Sequence, residues 1–244
     1  MRKDDEIPHR TIRKMTIRSH YLAADRSLRI FLPPGYDPRI SYPVVYCQDG
    51  EQYFNFGRIA TTVEKLMQDE HLPPVVIVGV DVDPQLRTEE YSPDGERFMA
   101  YCAFFVEELL PFVESQLAVK DTAEGRIITG DSLGATVSLQ LALLYPHLWR
   151  KVIAFSGAFF ASTQQRIEAE FHLGGLELYM LVGLQETEVK TERGTFDFLH
   201  ENRETHRLLT AKGAQVAYFE EEGSHLWGFW QKYMAPALRH FLLK

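Results

Sequence analysis

Cysteine is scarce in this chain, long apolar runs are missing, and positive charge is outnumbered. Only Cys47 and Cys102 occur in 244 residues, too few for a disulfide framework and without the spacing of a metal site. One sits in an apolar strand-like run and the other in a helical stretch, so both are expected to be buried thiols. No segment reaches the ~18 apolar residues that a membrane-spanning helix needs. The opening MRKDDEIPHRTIRK is charged and has no apolar core of the kind that marks a secretory leader. A cytoplasmic protein is the expectation. Lys and Arg number 26 against 34 Asp and Glu, a formal net charge of −8. That balance offers no basic footprint for nucleic acid and disfavours an anionic membrane surface. Repeats, low-complexity tracts and linkers are also missing. One domain over residues 1–244 is expected, with residues 1–11 as a loose N-terminal extension.

What is present is alternation. Residues 11–18 and 27–32 read as an antiparallel opening pair closed by Pro33-Pro34-Gly35-Tyr36. Short continuous apolar runs follow at 43–50 (PVVYCQDG) and 74–82 (PVVIVGVDV), then at 126–129, 151–157, 176–183 and 215–220, as suits parallel strands covered on both faces. Helical stretches at 57–70, 95–117, 135–145, near 163–170, near 195–212 and from about 227 separate them. In the second of these, Phe98, Tyr101, Phe105, Leu109 and Phe112 form a core stripe. The order predicts an α/β protein with a mostly parallel central sheet, helices on both faces, and ligands at the carboxyl ends of the strands. Residues 158–175 or 184–200 are candidates for a small cap.

At mid-chain, Gly130-Asp131-Ser132-Leu133-Gly134 spells GxSxG between the β-like RIIT and the apolar ATVSLQLALLY. Strand, sharp turn and buried helix make a nucleophile elbow, where crowding at the turn demands glycine two residues before and after the serine. A serine hydroxyl needs a histidine to take its proton and a carboxylate to orient that histidine. His225 follows the final strand, at the end of the sheet where Ser132 lies. Glu186 and Glu188 both follow the strand LELYMLV; Glu186 is the choice for the acid and Glu188 the alternative. For an oxyanion, the N–H of Leu133 after the nucleophile is one donor, and Gly50 leaves the N–H of Glu51 as the second. The letters GDSL also name a different lipase superfamily, whose serine lies near its N-terminus and whose histidine follows a carboxylate by three residues. Glu222 does stand three before His225, but the mid-chain strand–turn–helix context argues against that assignment.

With VVYCQDGEQYF, RTEEYSPDG (87–95), GDSLGA, VGLQETEV and GSHLWGFW in place, the chain over roughly residues 12–243 resembles the esterase family of α/β-hydrolases. That family includes esterase D, enterochelin-esterase-like and feruloyl-esterase-like enzymes and uncharacterised Bacillus-type esterases. The resemblance implies the α/β-hydrolase fold and ester hydrolysis through an acyl-enzyme, with Ser132 as nucleophile, His225 as base and Glu186 as acid, and it implies no cofactor and no metal. The family often has aspartate as the acid and an HGG-like oxyanion loop; this chain has glutamate and QDGE. Arg87, Tyr91, Trp227 and Trp230 are candidate pocket residues because their loops overlook the strand ends. Alternatively, Arg87 pairs with Glu89 or Glu90 and the tryptophans bury a helix face. The expected function is a serine carboxylesterase acting on a small or medium acyl ester. An acyltransferase on the same triad and a catalytically weak ligand-binding protein are the alternatives.

Overall fold

The computed structural model describes residues 10–243. Nine-residue strands β1 (Thr11–Ser19) and β2 (Ala24–Leu32) open the chain, followed by β3 (Val44–Cys47), α1 (Gly50–Asn55), α2 (Ile59–Glu70), β4 (Val76–Val80) and α3 (Arg87–Tyr91). After α4 (Phe98–Ala103), a π-helical turn over Phe104–Leu109 and α5 (Leu110–Gln116) come β5 (Arg126–Asp131), α6 (Leu133–Leu144), β6 (Lys151–Phe155), α7 (Ala161–Ala169) and β7 (Glu177–Gly183). A hairpin of β8 (Val189–Thr191) and β9 (Gly194–Phe196), then α8 (Phe198–Ala211), β10 (Gln215–Glu221) and α9 (Trp227–Leu242), complete it.

Eight strands form one sheet in the order β1-β2-β4-β3-β5-β6-β7-β10. β2 pairs antiparallel with both β1 and β4, and the remaining pairs are parallel, so β2 alone runs against the others. Strand alternation sorts the side chains into two cores. Val44, Tyr46, Val76, Val78, Val152, Ala154, Leu178 and Met180 face one way, under Phe98, Phe105, Leu139 and Leu208. Val45, Cys47, Ile77, Ile153, Phe155 and Leu181 face the other, under Val63, Leu66, Phe229 and Leu238 of α2 and α9. Each such side chain, fully removed from water, contributes about 1.5–3 kcal/mol. Ten of the twelve residues of α6 are buried, which explains its lack of a polar face: β5 and β6, adjacent in the sheet, pack beneath it. This is the α/β-hydrolase fold.

Several boundaries differ from the sequence expectations for physical reasons. The strand expected over 43–50 ends at Cys47, because Asp49 adopts a left-handed conformation (φ 51°) and starts α1. A Cβ on Gly50 would stand 2.4 Å from the carbonyl carbon of Gly79, so only glycine lets this turn lie against β4. The helix expected over 95–117 is interrupted by the π-helical turn just before Pro111; proline has no N–H to continue the ladder, and the wider turn accommodates it. Helix α8 starts at Phe198 rather than 195, because the Asp197 carboxylate accepts the His200 N–H at 2.9 Å and caps it. The segment 184–200 carries the β8–β9 hairpin and 158–175 carries α7. Residues 1–9 of the expected N-terminal extension lie outside the described residues. Arg10 bonds Glu64 at 2.7 Å, and Thr11 already belongs to β1.

Candidate active site

The turn at Ser132 is a strained one. Ser132 sits at φ 52°, ψ −122° between β5 and α6, a region that costs a non-glycine residue about 1–3 kcal/mol and persists only where surroundings hold it. They do: the Ser132 N–H donates to the Phe155 carbonyl at 2.9 Å, and its own carbonyl accepts the Ala158 N–H at 3.0 Å. A Cβ on Gly130 would lie 2.1 Å from the Gly134 carbonyl carbon, and one on Gly134 would meet the Asp49 carboxylate at 2.9 Å. The two glycines therefore serve different contacts, the first inside the elbow and the second between the elbow and the loop after β3.

The structure brings Ser132, His225 and Glu186 into one chain of hydrogen bonds across the ends of β5, β10 and β7. Ser132 Oγ and His225 Nε2 are 3.0 Å apart, and His225 Nδ1 is 2.7 Å from Glu186 Oε2. A carboxylate oxygen only accepts, so Nδ1 carries the imidazole proton and Nε2 is left to accept from the serine. The Glu186 side chain is wholly buried. Its other oxygen accepts the Gly183 N–H at 2.9 Å and the Ser156 hydroxyl at 2.6 Å. Trp230 Nε1–H donates to Ser156 Oγ at 2.8 Å, and Ser156 donates onward to Glu186, because a carboxylate oxygen only accepts. Glu188 is exposed. Ser156 was not among the sequence candidates, although its position just beyond β6, beside the end of β7, was a usable signal. The His225 ring is flanked by Phe198 (centroids 4.2 Å apart) and by the edge of Trp230 (5.0 Å).

Of the expected pocket residues, Arg87 lines a cleft of about 270 Å³ at Ser132, together with Leu133, Phe160, Phe196, Phe198 and the hairpin residues Lys190 and Arg193. Its guanidinium is already engaged, and with Asp49 rather than Glu89 or Glu90. Nε and Nη2 each donate at 2.8 Å to one oxygen of the buried Asp49 carboxylate, and Nη2 reaches the Asp131 carbonyl at 3.4 Å. Burial works against the charge on Arg87, but Asp49 outweighs it and holds the guanidinium protonated. Tyr91 lies beneath this pair, fully buried, its ring 5.3 Å from the guanidinium carbon and its hydroxyl accepting the Asp49 N–H at 3.2 Å. It belongs to the support, not the cleft wall. Trp227 packs edge-on against Tyr53 and donates to Gln52 at 2.9 Å, and Trp230 is buried behind His225; the cleft wall just described contains neither. The Glu51 side chain pairs with Arg29 at 2.8 Å and faces outward, while its N–H belongs to the first turn of α1.

Asp131, just before Ser132, is buried with one carboxylate oxygen lacking any hydrogen-bond partner. Burial first, and then the Asp49 carboxylate, push its carboxyl up to about 7 against the pull of Arg87. Both cysteines are free and buried. Burial raises the Cys102 thiol to about 12 and pushes Cys47 well above its ordinary value, so neither is a nucleophile at neutral pH. Among the described residues no three His, Cys, Asp or Glu side chains converge as a metal site requires, and no helix is long and apolar enough to cross a membrane.

Three comparisons fit this architecture. Uncharacterized protein YjcH of Bacillus subtilis (strain 168) is 34% identical over 234 residues, 95% of this chain and 98% of that protein. A ferulic acid esterase structure superposes with a TM-score of 0.83 at 17% identity, over 97% of this chain and 99% of that one. The enterobactin esterase FES from Shigella flexneri gives 0.81 at 21% identity, over 97% of this chain and 59% of that one. The family model described as Putative esterase matches residues 19–241, and the chain therefore belongs to that esterase family of α/β-hydrolases.

Proposed function

We propose that this protein is a serine carboxylesterase that hydrolyses small or medium acyl esters through an acyl-enzyme, with Ser132 as nucleophile, His225 as general base and Glu186 as the orienting acid. The observation that carries this reading is the hydrogen-bond chain Ser132–His225–Glu186, built on a serine held at positive φ. In the first step Ser132 Oγ attacks the ester carbonyl while His225 Nε2 takes its proton. The imidazolium that forms is stabilised by Glu186, which keeps its second oxygen committed to Ser156 and Gly183. Negative charge gathering on the carbonyl oxygen meets the N–H of Leu133, at the positive end of α6. The first turn of α1 supplies the second donor from Glu51. His225 then returns the proton to the leaving alcohol, and a water molecule, activated by the same imidazole, releases the acid.

Phe160 stacks on Phe196 (centroids 4.4 Å) and meets Phe198 edge-on (5.5 Å). This aromatic wall beside Ser132 favours an apolar acyl group of limited size, as the cleft volume also does. A panel of p-nitrophenyl esters tests the reading, with a fluorophosphonate probe as the covalent readout. The wild type is expected to turn over short esters and to label. Ser132→Ala is expected to lose both while its circular dichroism spectrum stays that of the wild type. Wild-type turnover in Ser132→Ala refutes the assignment.

A further inference from the structure

Buried Asp49 and Asp131, with the part-exposed Arg87 between them, join two segments that the chemistry requires in register and that are otherwise separate in the chain. Asp49 precedes the first turn of α1, and Asp131 precedes the nucleophile. Asp49 holds a left-handed conformation without being glycine, so its turn is stable only if its surroundings fix it. On one side Gly50 rests against Gly79 of β4 with no room for a Cβ. On the other, Arg87 grips both oxygens of the Asp49 carboxylate, and the Tyr91 hydroxyl accepts the Asp49 N–H. The same Arg87 Nη2 reaches the carbonyl of Asp131, and the missing side chain at Gly134 lets the Asp49 carboxylate approach the elbow. A planar guanidinium fork can make these contacts together; an ammonium cannot.

We infer that Arg87 is a positioning residue that clamps the turn opening α1 to the nucleophile elbow, and so sets the spacing between the two backbone donors of the oxyanion hole. This rests on the esterase reading above. The clamp acts on donors that matter most when the carbonyl oxygen is charged, so its loss weakens the transition state more than the bound ester. Arg87 thus spends Nε and Nη2 on Asp49 and the Asp131 carbonyl, and that edge of the guanidinium is not available to a substrate.

The test compares wild type, Arg87→Met, Arg87→Lys, Asp49→Asn and the double variant Arg87→Met/Asp49→Asn, by kcat and KM on p-nitrophenyl acetate and by thermal midpoint. Arg87→Met is expected to lower kcat about 100-fold, the scale of losing an oxyanion donor, with KM within about threefold. Arg87→Lys falls in the same direction by about tenfold or more, and Asp49→Asn does likewise. In Arg87→Met a buried carboxylate loses its partner and the midpoint drops; in the double variant that uncompensated charge is gone and the midpoint recovers. The clamp predicts that kcat does not recover with it. Recovery of kcat together with stability, or single variants within about threefold of wild-type kcat, overturns the inference and leaves Arg87 a structural ion pair. If Arg87→Met does not fold, Arg87→Lys and the double variant decide the matter by the same criteria. An active wild type with unaffected Arg87 variants sinks the clamp alone, whereas a wild type that neither turns over nor labels with fluorophosphonate sinks the esterase reading and the clamp with it.

Discussion

Replacing Glu186 with glutamine changes one atom and is expected to silence the enzyme, because the surroundings dictate which way the amide must face. The Gly183 backbone N–H, which can only donate, points at Glu186 Oε1, and Ser156, itself accepting from Trp230, donates to the same oxygen. That position accepts two hydrogen bonds and tolerates only an oxygen. The amide nitrogen is therefore forced into the place of Oε2, 2.7 Å from His225 Nδ1, where it becomes a donor. Nδ1 must then accept, the imidazole proton moves to Nε2, and Nε2 points a donor at Ser132 instead of a lone pair. A base in the wrong tautomer costs on the order of 10⁴ in kcat in serine hydrolases, or about 5.5 kcal/mol in the barrier. The assay is kcat and KM on p-nitrophenyl acetate, with thermal midpoint as the fold control. Glu186→Gln is expected to fall by 10³–10⁴ in kcat, an order-of-magnitude figure from the same tautomer argument, with little change in KM. Glu188→Gln should stay within about twofold, as expected for a side chain in solvent. A Glu186→Gln enzyme within about tenfold of wild type would refute the tautomer argument, and a larger loss at Glu188 would hand that residue the acid's role.

Two further outcomes follow from charges near the site. The Asp131 carboxyl is raised above its unfolded value, so the neutral form is favoured in the folded protein. Stability associated with it is complete below about pH 4 and is lost as pH rises to about 7. Asp131→Asn should therefore gain on wild type across that window and hold a roughly constant advantage of about 1–4 kcal/mol above it; urea melts at pH 4.5 and 8 check this, and an advantage that shrinks with rising pH contradicts it. The cleft rim carries Lys190 and Arg193 against Glu192, and Arg193 is tethered to Ser92 at 3.2 Å. Lys190→Glu/Arg193→Glu is expected to raise KM for mono-p-nitrophenyl succinate roughly fivefold or more, but not for p-nitrophenyl butyrate, with the difference fading in high salt. Equal effects on both esters would mean that the hairpin acts by shape alone.

The residues that take part in local patterns were the legible ones. Ser132 announces itself by its flanking glycines, and His225 and Glu186 by following the last and second-last strands of an alternating chain. The mostly parallel pairing of the sheet follows from the same alternation. Less legible were contacts that join distant segments. Arg87 meets Asp49 across 38 residues and Asp131 across 44, and a sequence offers Glu89 and Glu90 as nearer partners. Tyr91 and Trp230 could be placed near the strand ends, but whether an aromatic faces the cleft or props it from behind depends on packing between layers. The short elements α1 and α3, and the β8–β9 hairpin, lack enough periods to register as patterns. The π-helical turn at Pro111 was hidden because the aromatic stripe continues through it.

The tie from Trp230 through Ser156 to Glu186 also bears on when the protein becomes active. Ser132 is synthesised 93 residues before His225, and Trp230, which holds the Ser156 hydroxyl beside Glu186, belongs to α9. During synthesis the elbow segment is made while the final helix is still unmade, and a domain folds as a unit. A chain truncated before α9 therefore carries Ser132, Glu186 and His225 without the Trp230 that holds Ser156 and flanks the His225 ring. On the proposed esterase reading, the order of the segments along the polypeptide delays hydrolytic competence until α9 has been made and packed.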